Sequence, residues 1–230
     1  MKVVEFLSAG RPCVAYIPEK MSGNEPAIYV HAAVQDPPAV MKILGELPLS
    51  VIWVGGANWE TDLTPWPAPS PFIKGDPYTG EAETYYEKLV EEIVPQTESI
   101  LKISPSKRAL AGYSLGGLFA LYASYLGDEF PVIGSFSGSF WYEGLTEFMK
   151  THRCEAEYVY MNLGRGEDGG NNPVFSKVGE CTRLADMILS SSGVNTSLEW
   201  YEGTHSKMVH ERIAVGIGKI ALHLNNGKEK

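Results

Sequence analysis

The sequence is poor in the features that mark several protein classes. Only three cysteines occur in 230 residues, Cys13, Cys154 and Cys181, and there is no CxxC pair. An odd, widely spaced set excludes a disulfide framework and a cysteine-built zinc site; the thiols are expected to be reduced and packed as small hydrophobes. No apolar run reaches the roughly 18 residues that a membrane-spanning helix needs. Positive charge is scarce: 19 Lys and Arg stand against 28 Asp and Glu, a formal net charge of −9. No window before the last few residues is basic, so nucleic acid and anionic membrane surfaces are excluded as partners. The opening Met1–Leu7 is short and Arg11 interrupts it early, which argues against a secretory signal and for a cytoplasmic protein.

What is present is an ordinary globular composition, 44% hydrophobic and 20% charged. A compact chain of this size buries roughly 70% of its unfolded surface and needs no staples. One domain spanning residues 1–230 is expected.

Short β-rich stretches alternate with helical patterns, which points to parallel βαβ units and an α/β fold. Val3–Leu7 and Cys13–Ile17 read as opening strands around Ala9-Gly10-Arg11-Pro12. The unbroken apolar runs Ala27–Val30 and Val51–Val54 read as strands covered on both faces. Further strands are predicted at Ala109–Gly112, Val132–Phe136, Tyr158–Leu163 and Ser197–Tyr201. Helices are predicted at Pro38–Leu47, Glu81–Leu101, Leu115–Leu126, Val178–Ser191 and His210–Leu224, with Pro95 bending the second or ending its first part. Between Thr61 and Tyr78 five prolines forbid helix and ladder pairing alike, leaving a stiff surface connection or else a lid or pocket wall.

The sharpest local signal is Gly112-Tyr113-Ser114-Leu115-Gly116, a G-x-S-x-G followed by Gly117. It lies between a predicted strand and a predicted helix, the strand–turn–helix of a nucleophile elbow. Such a turn lifts the Ser114 hydroxyl over the sheet edge and frees the Leu115 amide to hold an oxyanion. A serine needs a base, and the base an orienting carboxylate. In chain order the acid and then the histidine follow the serine, which excludes His31 as base. His205 is the best remaining histidine, in the turn after Leu198–Tyr201, where ligands meet an open α/β sheet. The acid is expected in the loop Gly164–Gly170, which offers Glu167 and Asp168. A second oxyanion amide is expected after an early strand, either from the His31–Val34 stretch or from Gly55–Asn58. His31 itself reads as structural. Trp59, Trp66 and Trp141, on neighbouring loops, are candidate walls of a substrate pocket.

In this combination and order the residues resemble the bacterial putative-esterase family of α/β-hydrolases, which includes enterochelin-type esterases and esterase D-like enzymes. The resemblance runs from about Pro26 to Leu224. Its anchors are Asp62–Pro65, Gly112–Gly117, Ser137–Trp141, Leu163–Val178 and Glu202–His205. It implies an α/β-hydrolase fold, a mainly parallel central sheet with helices on both faces. It places the nucleophile on Ser114, the base on His205, the acid on Glu167 with Asp168 second, and the second oxyanion amide on Ala33. Ala32 stands where glycine is usual. Trp59 stands where siderophore-cleaving relatives often carry arginine, which speaks against a strongly anionic substrate. The expected activity is hydrolysis of a small-molecule carboxylic ester through an acyl-enzyme, without metal or organic cofactor. The same constellation serves thioester hydrolysis and acyl transfer, and an inactive hydrolase fold can serve as a binding module.

Overall fold

The computed structural model describes residues 1–32, 36–72, 74–168 and 172–226. Eight strands form one sheet: β1 (Lys2–Ser8), β2 (Arg11–Ile17), β3 (Ala27–His31), β4 (Ser50–Val54), β5 (Arg108–Tyr113), β6 (Val132–Phe136), β7 (Tyr158–Gly164) and β8 (Asn195–Tyr201). Their order is β1-β2-β4-β3-β5-β6-β7-β8. β1 and β2 form an antiparallel hairpin, and β2 pairs antiparallel with β4. All remaining pairs are parallel, as the helical crossovers between them require. β3, β4 and β6 are buried along their whole length, which is why Ala27–Val30 in β3 and Val51–Val54 in β4 read as unbroken apolar runs.

Helices cover both faces. α1 (Pro37–Leu44) and α7 (Val209–Asn226) pack Val40, Met41, Ile213, Ile217 and Ile220 on one side. α2 (Ala82–Lys88), α3 (Val94–Leu101), α4 (Leu115–Ala123), α5 (Leu145–Thr151) and α6 (Val178–Ser191) lie on the other, with Tyr85, Leu118, Phe119, Leu145 and Leu189 in its core. The predicted helix over Glu81–Leu101 is continuous but carries a π turn over Leu89–Ile93, where the Val94 N–H bonds Leu89 O, five residues back. Pro95, which has no N–H to donate, lies directly after this widened turn, the place where a helix interior can take up a proline. The helix after the elbow ends at Ala123, three residues before the predicted Leu126. α5 was not predicted from sequence; its seven residues give too few turns for a periodic pattern.

The chain crosses from β4 back past β3 to β5, so the strand order reverses beside β3. Crevices at the carboxyl ends of parallel strands open at such a reversal. No helix among the described residues is long and apolar enough to cross a membrane. Cys13 and Cys154 are buried and Cys181 half-buried, none of them in a disulfide.

Candidate active site

Ser114 sits at the turn from β5 into α4 with φ 59° and ψ −121°, a conformation that costs a non-glycine residue on the order of 1–3 kcal/mol. Neighbouring backbone holds it there. Its N–H donates to Phe136 O at 3.0 Å, and its carbonyl accepts the amides of Gly117 and Leu118 at 3.0 Å and of Ser139 at 3.2 Å. The flanking glycines are required by close approach. A Cβ on Gly112 would lie 2.2 Å from the Gly116 carbonyl, and one on Gly116 would lie 2.1 Å from His31 O.

His205 comes from the loop after β8. Its Nε2 lies 3.0 Å from Ser114 Oγ and its Nδ1 2.8 Å from Glu167 Oε2. Glu167 comes from the loop after β7. Its other oxygen, Oε1, accepts Ser137 Oγ–H at 2.7 Å and the Gly164 amide at 2.8 Å. Burial alone would push the Glu167 pKa up; the hydrogen bonds from His205, Ser137 and Gly164 outweigh it and hold the carboxyl below its ordinary range. The structure therefore brings Ser114, His205 and Glu167 into one hydrogen-bonded row. Asp168 is not part of it: its Oδ1 accepts the Gly179 amide at 2.6 Å, in the first turn of α6.

Leu115 occupies the first helical position of α4 and lines the cavity above Ser114, so its N–H has no intrahelical acceptor. Ala33 lies outside the described residues. Gly55, of the alternative loop, donates its N–H to Pro12 O at 2.8 Å, and that loop does not line the cavity. His31 is buried, with Nε2 2.9 Å from the Tyr85 hydroxyl; burial first, and then the nearby Arg11 charge, lower its pKa from 6.5 to about 3. Its structural reading stands on that packing.

The cavity beside Ser114 has a volume of about 430 Å³. Phe72, Tyr78, Trp141, Phe175 and Val178 form its apolar wall. Phe72 and Phe175 meet from two different loops with ring centroids 5.3 Å apart, and Trp141 lies 5.2 Å from Phe175. Glu167 and His205 are the only titratable groups besides Tyr78 among the described lining residues, and no Lys or Arg is among them.

Two of the three tryptophans expected to wall the pocket do not. Trp66 donates its indole N–H to Glu143 O at 2.8 Å and packs against Tyr122, Tyr142 and Phe148. Trp59 packs on the hydrophobic core. An aromatic ring in a proline-rich loop can face either the ligand or the domain, and sequence does not say which. Only Trp141 lines the cavity; Phe72 and Phe175 take the places assigned to the other two. Ser137, whose bond steadies Glu167, and Arg212 and Tyr113, which bond the His205 loop, were also missed. Ser137 lay inside a segment that carried the family resemblance, but nothing in the sequence marked its role. Among the described residues no cluster of three or more His, Cys, Asp or Glu is placed to hold a metal ion.

Residues 45–208 match the family model described as Putative esterase. The chain is 28% identical over 208 residues, 82% of each chain, to the uncharacterized protein YbbA of Bacillus subtilis (strain 168). Among solved structures it resembles an IroE-like serine hydrolase from Shewanella oneidensis, with TM-score 0.76 and 20% identity, covering 94% of this chain and 76% of that one. It also resembles the siderophore hydrolase EstB from Aspergillus nidulans, with TM-score 0.72 and 17% identity, covering 95% and 93%. Enterochelin esterase from Shigella flexneri superposes with TM-score 0.69 at 16% identity, over 97% of this chain and 59% of that one. With 164 of its 230 residues inside the family match and an eight-stranded α/β-hydrolase sheet around Ser114, the chain belongs to the Putative esterase family and is a carboxylic ester hydrolase.

Proposed function

We propose that the protein cleaves a neutral, largely apolar small-molecule ester by the serine mechanism, with Ser114 as nucleophile, His205 as general base and acid, and Glu167 as the orienting carboxylate. The observation that carries the reading is the unbroken row of Ser114 Oγ, His205 Nε2 and Nδ1, and Glu167 Oε2 at 3.0 and 2.8 Å. Ser114 Oγ attacks the ester carbonyl carbon while its proton passes to His205 Nε2. The tetrahedral oxyanion forms beside the Leu115 amide at the α4 N-terminus, where a positive helix end and an unpaired donor coincide. A second donor is assigned to Ala33 by family resemblance. The alcohol departs with the proton from His205. Water then attacks the acyl-enzyme with His205 again as base, releasing the acid and restoring Ser114. Glu167, kept ionised by its hydrogen bonds, fixes the imidazole tautomer and stabilises the imidazolium of each step.

The substrate class follows from the wall. Two of the structural neighbours are a siderophore hydrolase and an enterochelin esterase. Among the described lining residues five apolar or aromatic side chains form a wall beside the nucleophile and none is Lys or Arg, which favours an uncharged acyl or alcohol group that stacks on rings. The test is a fluorescent phosphonate probe followed by peptide mapping, together with turnover of p-nitrophenyl esters by Ser114→Ala. Labelling of the Ser114 peptide and a fall in kcat of roughly 10⁴- to 10⁶-fold are expected. A Ser114→Ala enzyme keeping more than about a tenth of its activity overturns the reading.

A further inference from the structure

His205 is the most exposed member of the row: its side chain is 52% accessible, against 1% for Glu167. A half-exposed imidazole on a loop has rotamer and backbone freedom to lose, and something must remove that freedom before Nε2 can rest on Ser114. The loop from Glu202 to Met208 offers little of its own. Gly203 has φ 110° and Met208, a non-glycine residue, has φ 61°. Such a backbone persists only when its surroundings over-determine it.

Two backbone bonds contribute, from the Lys207 amide to Thr204 O at 3.1 Å and from the Gly166 amide to Gly203 O at 2.9 Å, and the rest of the surroundings centre on one side chain. Arg212, on the first turn of α7, is 1% exposed and is the largest fully buried residue among those described. Its Nη1 donates to Lys207 O at 2.8 Å and its Nη2 to Thr204 O at 2.7 Å. Nη2 also donates to the Tyr113 hydroxyl at 2.7 Å, and that hydroxyl donates onward to His205 O at 2.6 Å. With a longer Nη1 bond to Glu202 O at 3.5 Å, the guanidinium holds four carbonyls of one short loop, three directly and that of His205 through Tyr113. Arg212 is held in turn by Asn162, whose Nδ2 donates to its carbonyl at 3.0 Å. Its Nη2 lies 3.6 Å from Glu167 Oε1, an ion-pair separation without a direct hydrogen bond. A buried guanidinium is costly unless its donors are met; here both Nη groups are met, by the loop that carries the base and by Tyr113, while Nε has no partner among the described residues.

Tyr113 makes the arrangement specific to catalysis. It immediately precedes Ser114 on β5. Its hydroxyl grips the backbone of His205 while the next residue's hydroxyl meets the imidazole. The two ends of His205 are therefore tied to two consecutive residues of the elbow.

We infer that Arg212 and Tyr113 are positioning residues, which lock the 202–208 loop so that His205 Nε2 is aimed at Ser114. The inference rests on His205 being the base, and the experiment separates the two. Tyr113→Phe removes one hydroxyl and keeps the ring; Arg212→Lys keeps the charge but cannot reach several carbonyls in a fixed fork. Both are assayed well below their melting temperatures. The expected result is a kcat about 10- to 100-fold lower with KM within about twofold, and phosphonate capture of Ser114 slowed by a similar factor, as for a small misplacement of a catalytic group. A purely structural role would lower the melting temperature and leave both rates of the folded enzyme alone. If Arg212→Lys fails to fold, Tyr113→Phe decides alone. Either folded variant keeping kcat within about twofold of wild type overturns the proposal. His205→Asn in the same assay tells the failures apart. Retained activity there overturns the triad and this inference with it, whereas an inactive His205→Asn beside an unaffected Tyr113→Phe overturns the positioning role alone.

Discussion

Asp168 and Gly179 are joined by a 2.6 Å hydrogen bond from the Gly179 amide to Asp168 Oδ1, and this bond divides the labour of two adjacent carboxylates. Asp168 serves the first turn of α6, where a negative charge and an acceptor are both favourable. Its neighbour Glu167 turns inward to His205.

Glu167→Gln is therefore expected to cost far more activity than Asp168→Asn. A glutamine cannot offer an anion to the imidazolium and imposes the wrong tautomer, which in other triads costs roughly 10⁴-fold in kcat. Asp168→Asn keeps an acceptor for Gly179 and is expected to lose about 0.5–1 kcal/mol of stability with kcat almost unchanged. Steady-state kinetics with one chromogenic ester, and urea midpoints, measure both. The reverse order of damage would move the acid by one residue.

Much of this site was legible because it is local. The elbow is five consecutive residues with a fixed spacing of glycines about the serine, so Gly112–Gly116 carried its own signature, although the contact that demands Gly116 comes from His31 on β3. β3 and β4 announced burial on both faces through the runs Ala27–Val30 and Val51–Val54, which have no charged residue to expose. The acid was narrowed to Glu167 or Asp168 by its loop, and only the family resemblance chose between them. What stayed hidden depends on backbone acceptors far away in sequence. Arg212 meets Tyr113 across 99 positions and otherwise bonds carbonyls, which every residue has. Trp66 finds the carbonyl of Glu143 77 positions on. A side chain that bonds to backbone leaves no partner residue type to look for.

Gly116 and Gly117 should respond differently to alanine. A Cβ at 116 meets the backbone oxygen of His31 on β3 at 2.1 Å, and neither strand nor helix can withdraw. Overpacking of this kind costs roughly 1–3 kcal/mol or more, and it displaces the residue two places after the nucleophile. A Cβ at 117 meets Ser135 Oγ at 2.7 Å, the end of a side chain, and backbone only at 3.0 Å from Gly112 O and 3.1 Å from Gly138 Cα. Gly116→Ala is expected to lose both melting temperature and kcat, Gly117→Ala less of each. Thermal melts and ester turnover on the pair decide it; equal losses would mean that the His31 contact is not the constraint.

The aromatic wall predicts a substrate-dependent effect at Phe175. Phe175→Ala opens the cavity opposite Phe72 and Trp141, so KM for a bulky apolar ester should rise several-fold while an acetyl ester changes little. Trp66→Ala should behave otherwise. It removes a ring packed on Tyr122, Tyr142 and Phe148 and a hydrogen bond to Glu143 O, so about 3 kcal/mol of stability is at stake with all esters affected alike. The readout is kcat/KM for a short and a long ester on each variant, with its melting temperature. A Phe175→Ala enzyme that loses both esters equally would remove the stacking role from the wall.

His31 makes stability depend on pH. Its pKa falls from 6.5 to about 3 because burial, and then Arg11, disfavour the imidazolium. Above pH 6.5 neither the folded nor the unfolded chain binds the proton, and this histidine adds no pH dependence. Below it the unfolded chain takes up a proton that the folded chain refuses. Stability therefore falls with pH by about 1.4 kcal/mol per unit from this one group, down to about pH 3. Glu167, whose carboxyl is held low in the fold, acts with the same sign further down: its contribution is present above the unfolded carboxylate range and is lost as pH drops through the lowered value. His31→Gln removes the first effect and leaves the second, and the amide can still meet the Tyr85 hydroxyl. Urea denaturation of wild type and variant at pH 7 and pH 4.5 isolates it. The wild-type advantage should shrink by about 2–3 kcal/mol between the two, since every other titrating group is common to both proteins. Parallel pH profiles would mean that His31 is protonated inside the fold, with the Arg11 and Tyr85 packing around it rearranged to accept the charge.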